Sequence, residues 1–302
     1  MTLIKPLVSV VVITYNSAKY ILAGLKSIEN QTYDNIEVII SDDCSTDNTI
    51  DICKEWINKN KNKFQRVELI ETNKNTGVAG NLNRGINASK GEWIKTLSGD
   101  DMFSSELISH CVEYVSNHKD CSFAYIKPKL QGNDYKEICK HRDELNWLYK
   151  EAQNPHKMQL ITNFEHILLP GPGWFYKRSV YDEIGGFDER FQSCEENPFM
   201  TKVLLAGYKV SIINKEDYIY NVRNDSLGRL RSHGLSRYDI DLIKYYKTVE
   251  KKILKENKLY LLLLQKSSYY KYRIANAKRK KNAYIFLKIY NCISIIRKLI
   301  NH

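Results

Sequence analysis

The sequence predicts an α/β protein: a Rossmann-like, mostly parallel sheet flanked by helices, with a helical appendage at the C-terminal end. Continuous Val/Ile-rich runs of strand length occur at LVSVVVITYN (7–16) and IEVIISDD (36–43), which is typical of parallel strands buried on both faces. A segment with apolar residues at helical spacing separates the two runs. After residue 238 the chain mixes Lys with Leu, Ile and Tyr at helical spacing and has no Pro or Gly.

The first half of the chain alternates strand and helix patterns. SAKYILAGLKSIENQ (17–31) follows the first strand and opens with Ser17, a candidate helix N-cap. The later patterns are, in order, helix at 45–60, strand at 66–72, helix at 78–89 and strand at 91–101. Strand–helix–strand repetition with short links predicts a parallel sheet, whose ligands bind beyond the carboxyl ends of the strands.

Charge predicts a domain boundary. Residues 239–302 contain 16 Lys/Arg and 4 Asp/Glu, a net charge of +12, whereas residues 1–238 have a net charge of −1. The basic character therefore belongs to the tail, and we expect one domain over 1–238 followed by a basic amphipathic helical tail over 239–302.

The cysteine content and the distribution of apolar residues indicate the cellular compartment. Seven cysteines are scattered without a CxxC pair or a His/Cys cluster of zinc spacing, which argues against a disulfide framework and a structural zinc site. The N-terminal residues lead into a strand without the pattern of a signal sequence, and no apolar run reaches the ~20 residues that a transmembrane helix needs. We therefore expect a cytoplasmic protein, soluble or peripheral to a membrane.

Polar residues follow three of the predicted strands. They are Thr14–Asn16, Asp42–Asp43 and Asp100–Asp101. Each group taken alone has an ordinary structural interpretation as a turn, and Asp42–Asp43 also as a helix N-cap. Because the carboxyl ends of parallel strands meet at one edge of a sheet, the three together favour an enzyme site.

Four motifs occur in order along the chain: VSVVVITYN, IEVIISDDCSTDNT, NTGVAGNLNRGINASKGEWIKTLSGDD and GGFDERFQSCEENPFMTKVLLAGYKV. Together they resemble the family 2 glycosyltransferases, which have the GT-A fold. The resemblance implies transfer of a sugar from a nucleotide diphosphate sugar with inversion at the anomeric carbon. It also implies Mg²⁺ or Mn²⁺, which neutralises charge developing on the diphosphate. Residues 1–103 would form the nucleotide-binding half and 104–238 the acceptor-binding half.

The resemblance also implies roles for the acidic residues. In the family pattern the last acid of the Asp-x-Asp-like motif ligates the cation and its neighbour faces the ribose. Asp101 then corresponds to the metal ligand and Asp100 to the ribose contact, with Ser98 where the first Asp of the motif usually stands. Asp43 matches the acid that contacts the base, and we expect Asp42 to brace the loop.

Other positions match the donor site of the family. Thr14, Tyr15 and Asn16 match the turn that lines the base pocket, where Tyr15 offers a stacking face. In NTGVAGNLNRG (75–85), glycines surround a predicted helix start whose backbone N–H groups can face the diphosphate.

A cation is expected beside the diphosphate. Asn83 matches a donor-site Asn that members often precede with Arg, whereas this chain has Leu82. Arg84 is then a candidate for that cation. Arg223 stands where members often have His near the metal; an arginine cannot ligate a cation, but it can clamp phosphate oxygens.

The inverting mechanism requires a carboxylate near the acceptor hydroxyl. Counting back from AGYKV places Glu195 and Glu196 on the Glu-Asp pair of the family, so Glu196 takes the position of the catalytic base with one more methylene. Glu195 also fits an acidic helix N-terminus. Trp174, after the PGPG loop at 170–173, has two open interpretations: an acceptor platform or a core residue.

The resemblance favours a UDP-sugar donor and a hexosyl- or N-acetylhexosaminyltransferase that extends a lipid-linked O-antigen or capsule repeat unit. The basic tail suits an anionic membrane surface, here the inner face of the plasma membrane; the alternative is a helical cap or an oligomer contact. Nucleic acid is not an expected partner, since no nucleic-acid module is recognisable. The main functional alternative is a nucleotide-sugar-binding protein of the same fold with impaired catalysis; a nucleotidyltransferase would need a Gly- and Lys-rich N-terminal signature that is missing.

Overall fold

The structure is a computed structural model that describes residues 5–132, 171–222, 231–232, 235–256, 266–271, 273–274 and 283–300. The described residues divide into two compact units: those up to residue 222 form unit 1, and those from residue 231 onward form unit 2. The boundary between residues 238 and 239 that the charge distribution suggested stays a prediction, as do the two halves of residues 1–238.

Unit 1 contains a mixed eight-stranded sheet. Its strands are β1 (Val8–Thr14), β2 (Ile36–Asp42), β3 (Arg66–Ile70), β4 (Trp93–Ser98), β5 (Met102–Phe103), β6 (Phe123–Gly132), β7 (Trp174–Lys177) and β8 (Ser211–Val222). The order across the sheet is β3-β2-β1-β4-β7-β6-β8-β5. The strands β3, β2, β1 and β4 are parallel, as the strand–helix repetition predicts, and β7 joins β4 in the antiparallel sense. The predicted α/β fold is confirmed.

Helices flank this sheet. They are α1 (Ile21–Glu29), α2 (Thr49–Asn60), α3 (Gly77–Ala88), α4 (Leu107–Asn117), α5 (Arg178–Ile184) and α6 (Glu196–Leu205). The expectation that Ser17 caps α1 is wrong. Tyr20 occupies the N-cap position without a side-chain cap, and the Ser17 hydroxyl donates to the Tyr15 carbonyl (3.2 Å). Ser17 lies too far upstream, and only its backbone carbonyl accepts from the first turn.

The core follows the sequence periodicities. One face of β1 and β2 buries Val10, Val12, Val38 and Ile40 against α1, whose Ile21, Leu25 and Ile28 recur at helical spacing. A second, aromatic cluster surrounds Trp174, which is 2% exposed and stacks on Phe199 at 5.2 Å between ring centroids. Trp174 is therefore a core residue, and the acceptor-platform interpretation is wrong because its ring face does not reach solvent.

Unit 2 is mainly helical over its described residues. It contains β9 (Arg231–Ser232), β10 (Leu235–Ser236), α7 (Arg237–Tyr245), a π-helical turn (Tyr246–Glu250), α8 (Lys251–Glu256) and α9 (Ala283–Ile300). Ser236 and Asp239 form a reciprocal capping box at the start of α7. Within the described ranges, no helix combines the length and apolar character that crossing a bilayer requires.

Candidate active site

The turns after β1, β2 and β4 meet at one edge of the sheet. Thr14 is the register partner of Asp42, and Ile13 is the partner of Ser98, so the three strands end side by side. A Cβ atom added to Gly99 would lie 3.1 Å from the Thr14 Oγ1. The structure thus brings together the three polar strand ends that the sequence singled out.

The turns after β1 and β2 are tied to each other. Asn16, in the left-handed region at φ +48°, accepts the Thr46 N–H with its side-chain oxygen (2.8 Å) and donates its own N–H to the Ser45 hydroxyl (2.8 Å). Asp42 is fully buried and accepts both the N–H (2.8 Å) and the hydroxyl of Ser45. These contacts are consistent with the bracing role expected of Asp42. Cys44 also has a left-handed φ, +70°.

Asp43 lies under the start of α3. Its carboxylate is almost fully buried and accepts from the Thr76 N–H (2.9 Å), the Gly77 N–H (2.8 Å) and the Arg84 guanidinium (2.9 Å). These two N–H groups were expected to face a diphosphate, and here they face an internal carboxylate instead. Arg84 correspondingly neutralises Asp43, and its predicted place beside the diphosphate stays a prediction.

The remaining donor-site candidates have different surroundings. Tyr15 is 40% exposed at the sheet edge, whereas Thr14 is buried and its carbonyl accepts the Asp43 N–H (2.9 Å). Arg223 lies outside the described residues. The donor-contact roles of these three residues stay predictions.

Asn83 links α3 to the GGFDE segment. Its amide nitrogen donates to the Phe187 carbonyl (3.0 Å) and Glu189 (2.9 Å), and its oxygen accepts from the Phe187 N–H and the Tyr181 hydroxyl, each at 2.9 Å. Both N–H donors and both lone pairs of the side chain are thus engaged within the protein. Its predicted contact with the donor stays a prediction.

The two adjacent aspartates after β4 differ in exposure. Asp101 is 2% exposed, and its two oxygens accept from the Tyr218 hydroxyl (2.7 Å) and the Asn221 N–H (2.8 Å). Burial, with the neighbouring charge of Asp100 acting in the same direction, raises the pKa of Asp101 to about 7. Asp100 is half-buried.

A hard divalent cation needs a carboxylate oxygen that it can reach. Asp101 turns both oxygens into the protein, so of the two side chains Asp100 fits such an ion better. Among the residues that the structure describes, no group of three His, Cys, Asp or Glu could hold a metal.

Lys95 is a component of the site region that sequence reasoning missed. Its side chain is fully buried on β4, and its ammonium donates to the carbonyls of Pro172 and Trp174 (3.3 Å for Trp174) and lies 4.6 Å from the Tyr218 ring centroid. Burial lowers the pKa of Lys95 to about 7. A signal existed in the sequence, since a lysine is an unusual residue within an apolar strand such as WIKTLSG and indicates a specific partner for its side chain.

The candidate base lies at the start of α6. Glu196 is the first residue of this helix, and its Oε1 accepts the Gly171 N–H at 2.7 Å. Glu195 occupies the N-cap position, and its carbonyl accepts the Phe199 N–H (3.2 Å). Both glutamates are half-buried, and their catalytic roles stay predictions.

Comparison with known proteins identifies a family. Residues 9–185 match the model of Glycosyl transferase family 2. Glycosyltransferase GlyG of Streptococcus pneumoniae serotype 4 is 29% identical over 232 residues, which is 74% of this chain and 73% of GlyG. Poly(ribitol-phosphate) beta-N-acetylglucosaminyltransferase TarS of Staphylococcus aureus is 26% identical over 221 residues, which is 72% of this chain and 36% of TarS.

Solved structures share the fold. The crystal structure of TarS 1–349 in complex with UDP-GlcNAc matches with a TM-score of 0.60 and 18% identity over 97% of this chain and 92% of that chain. The mannosyltransferase PcManGT of Pyrobaculum calidifontis, in complex with GDP-Man and Mn²⁺, matches with a TM-score of 0.63 and 17% identity. The match covers 97% of this chain and 81% of PcManGT. The chain therefore has the GT-A fold and belongs to glycosyltransferase family 2.

Proposed function

We propose that this protein is an inverting glycosyltransferase that moves a hexosyl or N-acetylhexosaminyl group from a UDP-sugar to a hydroxyl of a glycan acceptor. The observation that carries the proposal is the convergence of the turns at 14–16, 42–43 and 100–101 on one sheet edge of a family 2 fold. The complex of TarS with UDP-GlcNAc supports the choice of UDP as the nucleotide.

The acceptor in this proposal is a cell-surface glycan, in the form of a lipid-linked O-antigen or capsule repeat unit. The relationship to TarS, which glycosylates poly(ribitol-phosphate), supports a surface polymer. The basic tail supports a lipid-linked form, since a net charge of +12 over residues 239–302 would hold the protein near anionic lipid at the inner face of the plasma membrane.

The donor diphosphate is proposed to lie beside the Asp100–Asp101 turn. When bound there, Mn²⁺ or Mg²⁺ would neutralise charge on the leaving diphosphate. The sequence pattern proposes Asp101 as the ligand, whereas the exposure of the two side chains favours Asp100. Asp101 would then fix the turn through Tyr218 and Asn221.

Glu196 is proposed as the general base. The Gly171 N–H holds one oxygen of its carboxylate and so orients the group. In the displacement, Glu196 would take the proton of the acceptor hydroxyl as the oxygen attacks the anomeric carbon and the nucleoside diphosphate leaves from the opposite face.

Substitution of the two glutamates tests this function. In Glu196→Gln the amide keeps the shape, so UDP binding should persist while kcat falls by roughly 10²–10⁴, the usual contribution of a general base. Glu195→Gln is the matched control and should reduce the chemical step much less. Donor titration and single-turnover transfer would measure the two effects. If Glu195→Gln is the inactive variant, the base is Glu195.

A panel of UDP-sugars with Mn²⁺, and GDP-mannose as a control, tests turnover itself. Slow release of UDP from one member would identify the donor. UDP binding without any release would favour the second candidate function, a nucleotide-sugar-binding protein with impaired catalysis. One observation favours that alternative: both carboxylate oxygens of Asp43 and both of Asp101 accept hydrogen bonds from within the protein.

A further inference from the structure

Lys95 lies between the candidate base and the candidate cation site. It is the fourth-last residue of β4, the strand that leads into the Asp100–Asp101 turn, and its side chain is 0% exposed. A buried ammonium loses its hydration, so it must find acceptors within the protein. Ile94 and Leu97 of the same strand are apolar and fully buried, so burial of the strand alone does not call for a lysine.

One side of Lys95 contacts the turn that holds the base. The ammonium donates to the carbonyls of Pro172 and Trp174. Pro172 is the middle residue of the 3₁₀ turn Gly171–Gly173, and the N–H at the beginning of this turn donates to Glu196 Oε1 (2.7 Å). By holding this turn, the Lys95 ammonium therefore restrains the Gly171 N–H, which orients the Glu196 carboxylate.

The other side of Lys95 contacts the support of the acidic turn. The ammonium lies 4.6 Å from the centroid of the Tyr218 ring, a cation–π distance, and 5.4 Å from that of Phe103. The Tyr218 hydroxyl donates to Asp101 Oδ2 (2.7 Å). A continuous set of contacts thus runs from Asp101 through Tyr218 and Lys95 to the Gly171–Gly173 turn.

We infer that Lys95 is a positioning residue that fixes the Glu196 carboxylate relative to the Asp100–Asp101 turn. The inference rests on the proposed function, since it concerns the distance between a general base and a bound donor. Without the ammonium, the carbonyls of Pro172 and Trp174 lose a donor, and the turn can relax. A shift of about 1 Å at a reacting group lowers rates by up to about 100-fold.

The substitution Lys95→Met tests this inference, because methionine keeps the unbranched shape and removes the charge and the donors. We expect kcat to fall roughly 10- to 100-fold, while UDP affinity and the donor KM change less than about twofold. Lys177→Met is the matched control. Lys177 lies on the neighbouring strand β7 with its ammonium 5.5 Å from the Trp93 ring centroid, and it has no part in the set of contacts. Unchanged kcat in Lys95→Met would overturn the inference.

A double-mutant cycle distinguishes positioning from a general structural role. If Lys95 acts through Glu196, adding Lys95→Met to Glu196→Gln should lower kcat by less than about twofold further, whereas independent effects would multiply. Lys95→Arg keeps the charge and should recover part of the rate. Multiplicative losses, or no recovery by Arg, would overturn the inference. An active Glu196→Gln would instead refute the base assignment of the proposed function, whatever Lys95 does.

A second variant applies if Lys95→Met does not fold. A Cβ atom added to Gly171 would lie 3.0 Å from Glu196 Oε1, so Gly171→Ala displaces the same carboxylate from the side of the turn. It should reproduce the fall in kcat with UDP binding intact. Full activity of Gly171→Ala would show that the turn does not position the base and would overturn the inference.

Discussion

The carboxylates at the sheet edge have different hydrogen-bond partners. Ser45 donates to Asp42, and the start of α3 together with Arg84 donates to Asp43. Tyr218 and Asn221 bind Asp101. Asp43 and Asp101, to which the family pattern assigns ligands, therefore also hold the loops in place, and residue type alone could not reveal this because their partners lie at least 33 residues away in the chain.

We expect Asp100→Ala and Asp101→Ala to affect different properties. Asp100→Ala should weaken Mn²⁺-dependent UDP binding by about tenfold or more, because it removes the carboxylate of the less buried of the two aspartates. Asp101→Ala should lower the free energy of unfolding by roughly 2–4 kcal/mol, because it leaves the Tyr218 hydroxyl and the Asn221 N–H without an acceptor.

UDP titration with and without Mn²⁺ measures the first effect, and urea unfolding measures the second. Trp56, Trp93 and Trp174 lie among the described residues of unit 1, so tryptophan fluorescence reports on its unfolding. If Asp101→Ala removes the metal effect while the folded protein stays equally stable, the cation is on Asp101, as the sequence pattern predicts.

Helix α3 is placed by close contact with the sheet as well as by its apolar face. Gly85 is buried on this helix, and a Cβ atom there would lie 2.5 Å from Val11 Cγ1 on β1 and 3.3 Å from Ser41 Cβ on β2. The close approach brings the first turn of α3 over the strand ends, where its N–H groups reach Asp43. The glycine that intrinsic helix propensity disfavours is thus required by packing.

Gly85→Ala should therefore destabilise unit 1 by roughly 1–3 kcal/mol, although alanine alone would favour the helix by about 1 kcal/mol. Val11→Ala creates a cavity and is destabilising by itself, but it also makes room for the new methyl group. The two losses should be less than additive in the double variant. Urea unfolding followed by tryptophan fluorescence would test this. Additive losses, or a Gly85→Ala variant more stable than the parent, would contradict the packing explanation.

The elements of the first half were predictable because their periods are visible along the chain. β1 to β4 and α1 to α3 occur where apolar runs and helical spacing indicate them. The second half was less predictable, because β6, β7 and β8 pair with strands distant in sequence and partly in the antiparallel sense. The same limit hid Lys95, whose acceptors are 77 and 79 residues away.

Charge separates the tail from the rest of the chain. Residues 239–302 have a net charge of +12, and residues 1–238 are nearly neutral. Within α9, Ile285 and Ile289 are 58% and 41% exposed and are four residues apart, which places them on the same side of the helix. Lys288 is exposed between them, and apolar side chains beside a basic one suit an anionic bilayer surface, which supports the proposed membrane contact.

We expect the full chain to sediment with vesicles of phosphatidylcholine and phosphatidylglycerol. Ile285→Ser/Ile289→Ser should weaken this binding roughly tenfold, because each isoleucine would contribute about 0.7 kcal/mol of binding free energy by burying part of its surface in the bilayer. Added salt should also weaken the parent's binding, since it screens the basic residues. Leu22→Ser/Leu205→Ser is the matched control. It removes two exposed leucines of unit 1, at 42% and 47% exposure, and should bind the vesicles as the parent does.

Equal binding to pure phosphatidylcholine, or no effect of the isoleucine substitutions, would contradict a membrane role. Self-association that those two substitutions abolish would identify a second copy of the chain as the partner instead.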